Sequence, residues 1–269
     1  GRSFSGAGVY ASNAILVLSN CVFVSHETFG NTGGGAVYLE SAEADFVGCH
    51  FSKNYTGKDG GALHSRGGSV ARLSGCTMHS NSAGGSAGAI HTANSTIELI
   101  DCIFSNNSGT TYGGGLEVAD GLATIEASLF RDNYPDAINI YGESPQVLIG
   151  DSGFCSNGGL HIRGGYEDLG GNCFAGVCDD TDGDGLIDCI DPCPNWPYDC
   201  SEDGQTITVA VGQSIQNAID AVPDGGTVLV SAGTYAVNLE FGGRSINLTS
   251  VEGPAVSILD GGLNGSIIR

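Results

Sequence analysis

Apolar residues in this chain fall in short alternating runs, and the runs themselves recur. A small pair followed by an apolar residue appears as GAGVY (residues 6–10), GGAVY (34–38), GGALH (60–64), AGAIH (87–91), GGGLE (113–117), DAINI (136–140) and GGLHI (158–162). The recurring apolar position is Val9, Val37, Leu63, Ile90, Leu116, Ile138 and Leu160. A second block follows each of the first six: CVFVSH, CHFSKN, CTMHSN, CIFSNN, SLFRDN and SGFCSN. The spacing is about 22 to 28 residues, the length of one coil of a parallel β-solenoid. Each coil is expected to carry short strands of alternating in/out residues, with Gly, Asn or Ser at the corners. A helical repeat does not fit, because the units are too rich in glycine and β-branched residues.

Stacked coils place like residues on like, about 4.8 Å apart. Phe23, Phe51, Met78, Phe104, Phe130 and Phe154 should then form an inner apolar stack. Three positions later come Asn54, Asn81, Asn107, Asn133 and Asn157, expected to take the left-handed backbone of a corner and to bond one another through their amides. Cys21, Cys49, Cys76 and Cys102 share the inward parity of the aromatic position and read as buried, free thiols. The residue after each inward Val, Leu or Ile gives an outward column: Tyr10, Tyr38, His64, His91, Glu117, Asn139 and His161. Its aromatic and imidazole members (Tyr10, Tyr38, His64, His91, with Glu117) suggest a ledge for glycans. The plainer reading is a polar exposed face that repeats because the coil repeats.

Glycine, at 45 of 269 residues, fits an architecture of many tight turns, and a 41% apolar fraction argues against disorder. A formal charge of −21 with nine basic residues argues against nucleic acid or an anionic membrane as partner. No apolar run approaches the roughly 20 residues that cross a bilayer, so membrane insertion is not expected. No basic leader precedes an apolar core and the first residue is not Met, which suggests a mature or excised chain. Six of the ten cysteines crowd into residues 155–200, which points to an oxidising, extracellular or cell-surface location.

The acid-rich stretch DTDGDGLIDCID (180–191), followed by PCP, has the spacing of a calcium loop. Asp180, Asp182, Asp184, Asp188 and Asp191 occupy positions 1, 3, 5, 9 and 12, Leu186 offers its carbonyl at position 7, and Gly185 allows the turn at position 6. Ca²⁺ gathers six to eight hard oxygens in this way. No amphipathic helix flanks the loop; cysteines do. The segment resembles a thrombospondin type 3 repeat over residues 180–194, which implies Ca²⁺ as the bound cofactor.

Paired GGA[VIL] and FxxN elements over residues 6–162 resemble the repeats of the polymorphic outer-membrane proteins, extracellular β-helical adhesins; FSKN, FSNN, FRDN and FCSN are the best copies. Residues 206–241 begin TITV, continue through a Ser214-capped helix at 215–221, and return to strands after PDGG. This block resembles the amino-terminal cap and first coils of pectate-lyase-like β-helices, where it precedes the coils rather than following them. The resulting expectation is an all-β, right-handed parallel β-helix: coils at 1–172, a disulfide-rich Ca²⁺ linker at 173–204, and a capping helix opening a second β-helix segment at 205–269. The order of parts suggests head-to-tail association, residues 206–269 of one copy against 1–40 of the next, and a role as filament subunit or adhesin segment.

Lyases and hydrolases with this likeness need clustered chemistry, whereas Arg66, Arg72, Arg131 and Arg163 are scattered and the acid pairs Glu40/Glu43 and Glu167/Asp168 do not repeat on one face. No GxSxG, P-loop or dinucleotide fingerprint is present. A carbohydrate-binding or polysaccharide-cleaving β-helix is the alternative function.

Overall fold

The computed structural model describes residues 2–3, 6–29, 32–179, 199–200 and 205–261. Two compact units divide the chain, Gly1–Cys178 and Asp179–Arg269. In the first, the third coil runs through strands Leu63–Arg66, Val70–Ser74, Thr77–His79 and Ser82–Ala83 before a glycine turn begins the next. Every strand pairs in parallel with its equivalents in adjacent coils. Leu63 lies between Val37 and Ile90, Met78 between Phe51 and Phe104, and Ser82 between Tyr55 and Ser108. In the fourth and fifth coils the first two strands fuse into Ile90–Ile100 and Leu116–Glu126. Three all-parallel sheets result, a solenoid in which each coil contacts only its neighbours.

Left-handed residues make the corners. One corner column is Ser25, Lys53, Ser80, Asn106, Asp132 and Ser156, with φ between 50° and 56°. The sequence expectation had put the following asparagine there, and that is corrected. The residue before the asparagine makes the turn, which frees the asparagine side chain to point inward. Beside this corner the GGA element answers a steric demand: a Cβ on Gly35 or Gly61 would lie 2.0 or 2.1 Å from a carbonyl oxygen of the next coil. Only glycine lets the turns stack this closely.

The asparagines form one continuous buried ladder. Asn54, Asn81, Asn107 and Asn133 each donate from Nδ2 to Oδ1 of the next asparagine, at 2.9, 3.0, 3.0 and 3.1 Å, ending on Asn157. The other Nδ2 proton goes to a phenylalanine or methionine carbonyl one coil below, as in Asn81 to Phe51 at 3.0 Å. Each Oδ1 also accepts a backbone N–H from the asparagine below it, 3.0 Å for Asn54 to Asn81. His26 takes the asparagine place in the first coil, its N–H bonding Asn54 Oδ1 at 2.9 Å.

Beside this ladder the aromatic stack is realised, with ring centroids 4.6 Å apart for Phe23 and Phe51 and 4.5 Å for Phe104 and Phe130. It extends one coil further than the sequence reading, to Phe174 against Phe154 at 5.1 Å. Cys21, Cys49, Cys76 and Cys102 are free, the last three buried. They are more than small hydrophobes. Cys49 N–H points at Cys76 Sγ (3.4 Å), and in the same column Cys102 N–H bonds Ser128 Oγ and Ser128 N–H bonds Ser152 Oγ, both at 3.1 Å. Thiol and hydroxyl are interchangeable members of a second polar ladder.

In the seventh coil the register differs from the expected one. Ile138 pairs with Ile162 and Asn139 with Arg163, so Ile162 and Arg163 replace Leu160 and His161 in their columns. The two-residue slip follows from Asp136, whose buried carboxylate accepts Leu160 N–H at 2.9 Å and holds Arg163 Nε at 2.9 Å, drawing the chain further before the strand begins. A disulfide joins Cys155 to Cys178, and Cys173 is disulfide-bonded as well.

The second unit carries parallel strands Thr206–Val209, Thr227–Val230 and Asn247–Ser250, with helix Ile215–Ala221 between the first two. Ser214 accepts Asn217 N–H at the helix start, and Ile215, Ala218, Ile219 and Val222 bury against Ile207, Val209, Val228 and Val230. Arg244 satisfies the carbonyls of Ile219, Asp220 and Val222 that the helix end leaves open.

Candidate functional site

The proposed calcium ligands Asp180, Asp182, Asp184, Leu186, Asp188 and Asp191 lie outside the described residues. Among the described residues, no three His, Cys, Asp or Glu side chains converge in an arrangement that could hold a metal ion.

The outward column can be followed in full. Tyr10, Tyr38, His64, His91, Glu117 and Asn139 occupy successive coils in exact register. The rings stack face to face: Tyr10 on Tyr38 at 5.5 Å, Tyr38 on His64 at 5.2 Å, His64 on His91 at 4.6 Å. The expected open ledge is corrected along most of this length. Tyr10 is 55% exposed, but Tyr38 and Glu117 are 2% and His91 6% exposed. The glycine turns cover them, because turns without side chains settle directly over the column. A Cβ on Gly33 would lie 2.3 Å from His64 Nδ1. At the rim, Glu40 accepts Tyr10 Oη–H at 3.2 Å and pairs with Arg66, whose guanidinium also lies over the Tyr38 ring.

Beneath the turns the polar groups bond one another. His91 Nε2 stands 3.4 Å from Glu117 Oε1, and Asn139 Nδ2 donates to Glu117 Oε2 at 3.0 Å. Tyr141 lies near Glu117; burial, then that carboxylate, push its phenol up to about 12. His64 Nδ1 lies 3.3 Å from the Asp59 carbonyl. Burial, then the neighbouring His91 ring, hold the His64 imidazole down to about 3, so it is neutral at pH 7. His91 Nδ1 is buried with no hydrogen-bond partner. Asp59 and Tyr141 were missed from sequence. Tyr141 had a usable signal, since it lies two residues past Asn139 on the same strand face.

This arrangement presents no nucleophile, no opposed acid pair and no open cleft over the column. Shallow depressions elsewhere, one lined by Gly68, Asn94, Gly121 and Gln146 and another by Gln146, Leu148, Tyr166 and Glu167, hold no facing carboxylates. Compared with known proteins, residues 2–154 match the family model described as "Right handed beta helix region". The chain belongs to the right-handed β-helix family. No curated protein and no solved structure matches it. The right-handed β-helix match ends at Phe154, one residue before the Cys155–Cys178 disulfide.

Proposed function

We propose that this right-handed β-helix is a structural protein of the cell exterior, a segment of a surface filament or adhesin. In this reading residues 173–204 form a Ca²⁺-binding, disulfide-knit joint. Residues 206–269 of one copy seat against residues 1–40 of the next, extending the stack head to tail. The observation that carries it is the inward use of polar chemistry. The column best placed to bind a ligand is stacked, covered by glycine turns and bonded to itself, while the asparagine ladder spends its amides between coils. Such a stack transmits load along its axis and offers little to a substrate. The Cys155–Cys178 disulfide supports an oxidising compartment.

Negative-stain electron microscopy with Ca²⁺ and then with EDTA, paired with limited proteolysis, tests the reading. Unbranched fibres in Ca²⁺, with new cleavage confined to 173–204 after chelation, are expected. Monodisperse particles in Ca²⁺ and an unchanged digest in EDTA would refute both the polymer and the joint.

A further inference from the structure

The covered column holds two imidazoles and one buried carboxylate, and that inequality has a consequence. His91 Nε2 faces Glu117 Oε1 at 3.4 Å, and the other Glu117 oxygen accepts from Asn139. His64 has no carboxylate of its own. Its neighbours are the Tyr38 ring below, the His91 ring above, the Asp59 carbonyl at Nδ1, and Arg66 two residues on, which is already paired with Glu40. The Asp59 carboxylate is engaged too, accepting Ser86 N–H at 2.7 Å. A proton gained by His64 therefore puts charge on a ring stacked at 4.6 Å on the His91 imidazole, with glycine backbone over much of it.

We propose that the His64–His91–Glu117 column is an acid-sensitive seam. It holds the glycine turns at 57–62 and 84–89 closed at neutral pH and releases them first as pH falls, ahead of the coils. The turns are the natural point of release because Asp59 bridges them: its carbonyl meets His64 and its carboxylate ties Ser86 of the next turn. Protonating His64 puts charge on a half-buried ring packed against the His91 ring and bonded among the described residues only through Nδ1, and opening the turn hydrates that charge in full. The sign follows from a folded value depressed to about 3 against an open-state value of about 6.5. Closure is fully present above about pH 6.5 and weakens as pH falls toward 3, by up to about tenfold in the closing equilibrium per pH unit.

The experiment is amide exchange by mass spectrometry on the intact chain from pH 7.5 to 4.5, corrected for intrinsic exchange. Protection of 57–64 and 84–91 should fall roughly tenfold per unit below pH 6.5, while 77–83, on the asparagine ladder, holds. His64→Phe keeps the ring stack and should flatten the acid loss; Glu117→Gln removes the one carboxylate and should deepen the loss below about pH 6.5. Parallel loss in the wild type and His64→Phe, or loss spread evenly over the coils, would overturn the seam. Should His64→Phe not fold, histidine Cε1 NMR of the wild type decides. A His64 signal that stays neutral until the turns open supports the proposal, and one that titrates near 6.5 with the turns closed overturns it.

Discussion

Replacing Asn81 with alanine removes a fully buried side chain that takes part in four hydrogen bonds. Two are accepted by Oδ1, from the N–H and the Nδ2 of Asn54; two are donated by Nδ2, to the Phe51 carbonyl and to Asn107 Oδ1. After truncation Asn107 Oδ1 keeps the Asn81 backbone N–H at 3.0 Å and the Phe51 carbonyl keeps the strand ladder, but the Asn54 N–H and one Asn54 amide proton lose their partners inside a dry corner. Stranded buried groups cost about 1–3 kcal/mol each, so two imply about 2–6 kcal/mol before relaxation. Water admitted to the vacated space relieves part of this, and about 3 kcal/mol is the expected net loss. Asn106→Ala is the matched control. Asn106 is exposed and sits at φ 56°, so alanine there adds about 1–2 kcal/mol of left-handed strain and strands nothing. Stacked coils need not unfold in one step, so the assay is native-state amide exchange on residues 49–56 and 77–83, supported by urea melts followed by circular dichroism. Asn81→Ala should open both segments far more than Asn106→Ala. If the two variants lose the same stability, the ladder is ornament and the account of the corner is wrong.

Cys76→Ser should be tolerated within about 1 kcal/mol, because Ser128 and Ser152 already do the same work in that column, whereas Cys76→Val leaves Cys49 N–H without its sulfur acceptor and should cost about 2 kcal/mol in the same melts. Reducing Cys155–Cys178, which closes a separation of 23 residues, should destabilise the seventh coil by about 3 kcal/mol. Protease should then reach residues 156–178 before any earlier coil, and a uniform digest would argue against that placement.

What could be read from the sequence was whatever repeats. Phe51 and Phe104, or Asn81 and Asn107, announce their stacking because a parallel solenoid places equivalent residues on one another, and no distant contact has to be guessed. Exposure was harder. Alternation says that Tyr38 and Glu117 point away from the strand's core side, but away from the core is not into water when a glycine turn folds back over them. The turn's reach depends on close approach between coils, which pattern does not encode. The corner was misread by one residue for a related reason: asparagine suits both left-handed backbone and amide ladders, and only the geometry separates Asn106, which turns, from Asn107, which bonds. The seventh coil slipped because Asp136, a buried charge with no counterpart in earlier coils, resets the strand that follows.

The ends of the asparagine ladder say what the repeat requires. A ladder in which every member donates upward needs an acceptor at its top and a donor at its bottom. His26 supplies the donor, its backbone N–H on Asn54 Oδ1. At the top, Asn157 still donates to the Phe130 carbonyl at 2.9 Å and meets His161 Nδ1 at 3.3 Å, but three residues past Phe174 the chain has Val177, which cannot continue the series. There the disulfide takes over, tying Cys155, one residue past Phe154, to Cys178, one past that valine. Hydrogen bonds propagate order only while each coil offers the next a matching amide. Where the match lapses, a covalent link holds the last coil down.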